Sequence, residues 1–202
     1  MYTVKHLPEF DGWLNSLRDR PTRFRLLRRL EKAQRGLLGD VAPVGDGVFE
    51  MREFFGPGWR MYYVQRGEVL IVMLGGGDKS SQVADIANAK ALAVTLMFEE
   101  RTMNKPVKAA DLPEFDMAQH IKTDADVAEY LRQVLEDGDP GELAAALGHI
   151  AKARGMTEIA KASGIKREAL YKALRPNAQP RLETVQRVCK ALGVKLTATV
   201  DH

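Results

Sequence analysis

Cysteine is almost missing from this chain of 202 residues, with Cys189 alone present. A single thiol makes no intramolecular disulfide and no multi-cysteine metal site, which excludes a stapled scaffold and a zinc knuckle. Long apolar runs are missing as well. No stretch approaches the roughly 20 residues of a membrane helix, so no membrane partner is expected. The start, MYTVKHLPEFDGW, has no signal-peptide apolar segment, and the expectation is a cytoplasmic protein. His120 and His149 have no carboxylate or cysteine set at metal-ligand spacing, so neither a metal nor a cofactor is expected. What the chain does have is 45% hydrophobic residues, enough for packed cores and against global disorder.

Net charge is small but uneven along the chain. The net value is +3. Residues 1–102 hold 15 Lys and Arg against 13 Asp and Glu, residues 103–142 hold 4 against 10, and residues 143–202 hold 11 against 4. An acidic segment thus separates two basic-leaning ones. Within the first, residues 18–35 carry eight basic and two acidic side chains. Such clusters point to polyanionic partners, or to solvated helix faces. The polar stretch EERTMNKPVKAADLP, with two prolines, marks a boundary between about Glu99 and Leu112. Met103 within it is either an ordinary linker methionine, which composition alone favours, or a former start codon at the join of two reading frames.

The first half reads as a small α+β domain. Tyr2–Leu7 is strand-like. Pro8 opens a helix with Phe10, Trp13, Leu14 and Leu17, and Pro21 opens a second with Phe24, Leu27 and Leu30. VFEMREF, WRMYYVQ and VLIVML are three β-rich runs joined by links short enough for antiparallel hairpins. A final helix follows GGGDKSSQ, with Val83, Ile86, Ala87 and Val94 expected on its inner side. The predicted order is β-α-α-β-β-β-α. GGGDKS is not a Walker A loop, because that motif needs glycine directly before the lysine and Asp78 stands there. It is read as a turn.

Strand parity places Arg52, Arg60 and Tyr62 on one sheet face, with Lys79 entering from the end of the next strand. Three cations and a phenol on one face suit a phosphodiester, because cleaving RNA by 2′-OH attack builds negative charge on the phosphoryl oxygens. Tyr62 or Lys79 would serve as acid or base only with a shifted pKa, and His6 and Glu50 are alternative proton carriers. Each arginine taken alone reads as a solvent-facing strand residue. Together, E-x-R at Glu50–Arg52, G-P-G-x-R-x-Y at Gly56–Tyr62 and L-x-G-G-D-K-x-x-Q from Leu74 to Gln82 make residues 1–98 resemble the HigB-like branch of the RelE/ParE toxin superfamily. The resemblance implies a RelE/ParE-like toxin domain, an antiparallel sheet with helices. It also implies a ribosome-dependent mRNA endonuclease (an mRNA interferase), with Arg52, Arg60, Tyr62 and Lys79 as catalytic candidates. The superfamily also includes gyrase inhibitors.

In the second half, Thr123-Asp124 starts a helix that Gly138 stops, and Asp139-Pro140 starts the next. MTEIAKASGIKREALYKALRP then reads as a short helix, a Ser163-Gly164 turn and a second helix from Lys166 to about Leu174, which is helix-turn-helix geometry. Lys166, Arg167, Glu168, Tyr171 and Lys172 face outward on that helix, where a major groove would meet them. A helical hairpin with a solvated basic face is the alternative. Leu182, Val185, Val188 and Leu192 make one more packing helix, and VKLTATV is expected to close as a strand. ALGHIAKARGMTEIAKASGIKREALYKAL and TVQRVCKALGVKL resemble a HigA-like antidote, an all-α Cro/repressor-type helix-turn-helix protein, over residues 111–200. That implies operator DNA binding, autoregulation as a transcriptional repressor, and neutralisation of the toxin.

The two resemblances combine into a type II toxin-antitoxin pair in one chain. Its expected parts are a toxin domain over 1–98, a junction over 99–110, an acidic helical segment contacting the toxin over 111–142 and a DNA-binding domain over 143–202. Asp124, Asp126 and Glu129 are the expected neutralising residues, acting within one chain or swapped between two. The expected partners are mRNA on the ribosome, operator DNA and a second copy in a homodimer. A gyrase-inhibiting toxin, or a non-toxic transcriptional regulator with a degenerate first domain, are the alternatives.

Overall fold

The computed structural model describes residues 1–68, 70–101 and 111–197, and of residues 98–101 and 140 it describes the backbone alone. The chain forms two compact units, Met1–Phe115 and Asp116–His202. The first is α+β and the second, among the described residues, is helical. No helix among those residues is long and apolar enough to cross a membrane.

The first unit runs β1 (Thr3–His6), α1 (Pro8–Ser16), α2 (Arg20–Gln34), β2 (Val41–Gly45), β3 (Val48–Glu53), β4 (Trp59–Arg66), β5 (Leu70–Asp78) and α3 (Gln82–Arg101). Its five-stranded sheet has the order β1-β5-β4-β3-β2. The two hairpins read from sequence are present as β3–β4 and β4–β5. The sheet is mixed, however, and not antiparallel throughout. β1 pairs with β5 in parallel, Val4 beside Ile71, because the chain returns to that edge only after both hairpins are complete. β2 was not foreseen. Its sequence VAPVG is short and holds a proline, features that an edge strand tolerates. The expected Gly75–Gly77 turn is instead the second half of β5, with Gly75 opposite Tyr62 and Gly77 opposite Arg60.

Those glycines stay small because side chains lie on them. A Cβ at Gly76 would fall 2.4 Å from the Trp13 ring, and one at Gly77 would fall 1.9 Å from Asp85 Oδ2. α1 and α2 bury Phe10, Leu14, Phe24, Leu27 and Leu30. α3 buries Ala89, Ala93 and Leu96 with Val48, Tyr62, Val64, Val72 and Leu74 of the sheet. The inner stripe of α3 therefore differs from the expected one, since Val83 and Val94 are exposed. Alanines let the helix axis come close to the strands, and the bulkier valines fall outside.

The second unit opens with a 3₁₀ turn, Met117–His120, and continues through α4 (Asp124–Asp137), α5 (Pro140–Arg154), α6 (Met156–Ser163), α7 (Arg167–Ala173) and α8 (Leu182–Ala191). α4 begins in a capping box. Thr123 Oγ1 accepts from Asp126 N at 3.2 Å, and Asp126 Oδ2 accepts from Thr123 N at 2.9 Å. Val127, Tyr130, Leu131 and Val134 face inward, and the left-handed Gly138 ends the helix. Ile159, Ala160, Leu170, Leu174, Val185, Val188 and Cys189 fill the rest of the core. The strand expected at VKLTATV is not formed over Val194–Thr197, since the described residues of this unit offer no strand for it to pair with, and Ala198–Val200 lie outside the described residues.

Candidate functional site

The β3–β4 register sets Arg52 opposite Arg60 and Glu50 opposite Tyr62 on one sheet face. Glu50 is the centre of the group and is 4% exposed. Gln82 Nε2, at the start of α3, donates to Glu50 Oε2 at 3.1 Å. Arg60 Nε lies 3.6 Å from the same oxygen, and Arg52 Nη1 lies 3.9 Å from Glu50 Oε1. A buried carboxylate is tolerable only with such partners. Arg52 is held from its other side by Asp40, whose Oδ1 accepts from Nη2 at 2.6 Å and from Nε at 2.8 Å. Arg60 Nη1 also donates to Gly58 O at 3.0 Å.

Lys79 is exposed and sits just past the end of β5. Gly58, in the left-handed region at φ +80, brings it near Arg60. A Cβ there would lie 3.4 Å from Arg60 Nη1 and 3.7 Å from Lys79 Cβ. Asp78 beside it accepts from Ser80 Oγ and Ser80 N, which hold its carboxyl below the usual carboxylate range. Tyr62 is fully buried, and among the described residues its Oη has no hydrogen-bond partner. Burial pushes the phenol far above its ordinary pKa, helped by the Glu50 and Asp85 carboxylates and opposed by Arg60. Tyr62 therefore keeps its proton at neutral pH and can donate a hydrogen bond but not act as a base. His6 lies apart from this group. It is on β1, registers with Met73 and pairs through Nδ1 with Asp11 Oδ2 at 2.9 Å.

Sequence reasoning missed Asp40 and gave Gln82 no role. Gln82 stands in the quoted motif and could have been found there. Asp40 carried no signal, because β2 separates it from the strand it serves. The basic run of α2 is also less free than its composition suggests. Arg28 is buried, Arg29 Nη2 donates to Asp40 O and its Nε lies 3.4 Å from Glu53, and Arg25 lies over the Phe55 ring at 4.5 Å. A cleft of about 380 Å³ beside Leu74–Gly76 is walled by Trp13 and bears Glu9 and Asp85, charges that suit a phosphate poorly.

In the second unit, α6 and α7 meet at Gly164, which takes the left-handed conformation with φ 64. Lys166, Arg167, Glu168, Tyr171 and Lys172 are all exposed on α7 or at its cap, while Leu170 is buried beneath them. Arg167 lies over the Tyr171 ring at 5.5 Å. Arg187 of α8, not singled out from sequence, fixes the turn. Its Nε donates to Ser163 O at 3.0 Å and its Nη2 to Gly164 O at 2.8 Å, satisfying carbonyls at the end of α6. The expected neutralising carboxylates are engaged within this unit. Asp126 is buried in its capping box, Asp124 pairs with Arg154, and Glu129 Oε1 accepts from Arg132 Nη2 at 2.6 Å.

Residues 111–200 match a family described as "Probable addiction module antidote protein". Among similar proteins are two from Haemophilus influenzae, both described as uncharacterized. One is 40% identical over 93 residues, which cover 94% of it and 46% of this chain. The other is 40% identical over 84 residues, covering 87% of it and 42% of this chain. No solved structure matches.

Proposed function

We propose that this chain, whose residues 111–200 match the addiction module antidote family, carries an entire toxin–antidote module in one polypeptide. In this reading the sheet unit is a RelE/ParE-like, HigB-like toxin that cleaves mRNA on the ribosome. The helical unit is its HigA-like antidote, which binds operator DNA and represses its own gene. Both relatives are nearly covered by less than half of this chain, which is the size expected of separate components.

The observation that supports the nuclease is the Arg52–Arg60 register around buried Glu50, with Lys79 beside it. Attack of a ribose 2′-OH on the neighbouring phosphorus breaks the P–O5′ bond and leaves a cyclic phosphate and a 5′-OH. Negative charge grows on the non-bridging oxygens along the way. Arg60, Arg52 and the exposed Lys79 would meet that charge, and Glu50 with Asp40 would hold the two guanidiniums in place beforehand. Joining toxin and antidote raises their mutual concentration to about the millimolar range for short flexible linkers, so the joined toxin is expected to be silent.

The test is expression of residues 1–102 alone, with mapping of mRNA 5′ ends in the cell. New ends at codon positions in translated messages, absent in Arg60→Ala and Lys79→Ala, are the expected result. Growth arrest with intact messages would replace the nuclease by a gyrase inhibitor. No arrest would leave a regulator with a degenerate first domain.

A further inference from the structure

The antidote family match begins at residue 111, yet the compact sheet unit ends at Phe115. Five residues, Asp111–Phe115, thus belong to the antidote by sequence and to the sheet unit by packing. We propose that this segment is the neutralising plug of the module: an extended peptide seated in a binding site formed by the β1 edge and the apolar cluster under α3. The inference deepens the toxin–antidote reading and takes its biological meaning from it.

Each part of the segment has a partner. Glu114 bridges Lys5 of β1 in antiparallel fashion. His6 N donates to Pro113 O at 3.2 Å, and Phe115 N donates to Val4 O at 2.8 Å. Pro113 has no N–H to return a bond to His6, so the ladder ends there. Two side chains grip the segment's carbonyls from the sheet unit. Lys5 Nζ donates to Leu112 O at 2.8 Å, and Gln34 Nε2 donates to Phe115 O at 2.9 Å. Leu112 enters the cluster of Leu7, Tyr62, Ala89, Ala93 and Leu96, and Phe115 is 3% exposed.

This is strand addition at a sheet edge, in which backbone bonds supply adhesion and apolar pockets supply selectivity. The edge it covers is β1, which otherwise has β5 on one side only. The recognised ligand is therefore an extended Leu-Pro-x-Phe peptide. The contact is apolar and backbone-driven, in contrast to an electrostatic cover by Asp124, Asp126 and Glu129.

The experiment uses the full chain with a protease recognition sequence inserted between Thr102 and Met103. After cleavage, size exclusion reads whether the two pieces travel together. Wild-type pieces are expected to co-elute. Leu112→Ser with Phe115→Ser is expected to separate them, with at least a 100-fold weaker association. Lys5→Met with Gln34→Leu, which leaves the segment intact, is expected to weaken association about 10-fold. Circular dichroism of each uncleaved variant checks that both units remain folded. Separation of the cleaved wild type, or co-elution of a folded Leu112→Ser, Phe115→Ser variant, overturns the proposal. Because the readout is association, a docked but harmless first unit would remove the toxin reading and keep the plug.

Discussion

Glu50 and Arg60 depend on one another, and a pair of substitutions separates stability from activity. Arg60→Ala strips a buried carboxylate of a partner, a change that costs about 3–5 kcal/mol for buried pairs, and removes the guanidinium proposed to meet the phosphate. Glu50→Gln with Arg60→Gln removes both charges together, so neither partner is left as an unpaired buried ion. The double variant is expected to melt close to wild type, while mRNA cleavage by residues 1–102 falls about 100-fold or more. Thermal melting and 5′-end mapping read the two effects. Tyr62 makes a second prediction. Its folded pKa is raised, so above pH of about 10 the unfolded chain releases a phenolic proton that the native chain retains. The unfolded state then binds fewer protons, and stability falls as pH rises, by about 1.4 kcal/mol per pH unit for each such tyrosine. Tyr63, also raised by burial, acts in the same direction. Tyr62→Phe is expected to flatten the alkaline slope in denaturant titrations without loss of stability at neutral pH, since it removes a hydroxyl that has no partner among the described residues.

Among the elements, β5 is the one whose continuation rests on missing side chains. Gly76→Ala drives a methyl group into the Trp13 ring, and the indole must move away from Trp59, with which it now packs at 6.4 Å. A loss of about 1–3 kcal/mol is expected by thermal melting. The turn between α6 and α7 rests on Arg187. If the helical unit binds operator DNA as proposed, Arg187→Met is expected to weaken that binding at all sequences alike. Arg167→Ala, on the exposed face, is expected to cost about 1–3 kcal/mol and to relax preference at one base position. Gel-shift titrations on operator and scrambled DNA separate the two. At this scale the sequence was legible where pattern and burial agree. VFEMREF, WRMYYVQ and VLIVML alternate or stay apolar, and they are β3, β4 and β5. It was illegible where a tertiary partner decides: Gly75–Gly77 looks like a turn until Trp13 and Asp85 are placed against it, VAPVG becomes a strand only beside β3, and VKLT lacks a strand to pair with among the described residues. The cationic set followed from period-two parity, but Asp40, brought in by chain topology, did not.

For the whole molecule, charge and packing give opposite accounts of neutralisation, and salt tells them apart. Asp124 and Glu129 already pair with Arg154 and Arg132 in their own unit. Asp124→Lys with Glu129→Lys is therefore expected to leave the full chain harmless to cells. The association of cleaved pieces is expected to change little between low and high salt, as apolar contacts and backbone bonds are weakly screened. Asp126 is unsuitable for such a test, because its loss would also break the cap of α4, worth about 1 kcal/mol. Composition marks a polar, proline-bearing stretch between about Glu99 and Leu112, whereas the packing divides the chain at Phe115 and Asp116. The ownership of residues 111–115 was not legible, because a strand of five residues carries too little pattern to declare its partner.

The position of Leu112 and Phe115 also sets a timetable. Domains fold as units while the ribosome is still extending the chain, at about 5–20 residues per second. The last element of the sheet unit before the junction is α3, ending at Arg101, and the plug begins ten residues later at Asp111. Synthesis crosses that interval in about 0.5–2 seconds. Throughout it the nascent chain is still bound to the ribosome that is making it. Two separate messages would leave finished toxin waiting for its antidote by diffusion. If the proposed plug acts as inferred, its segment is synthesised while the sheet unit is still held on the ribosome, before the chain is released.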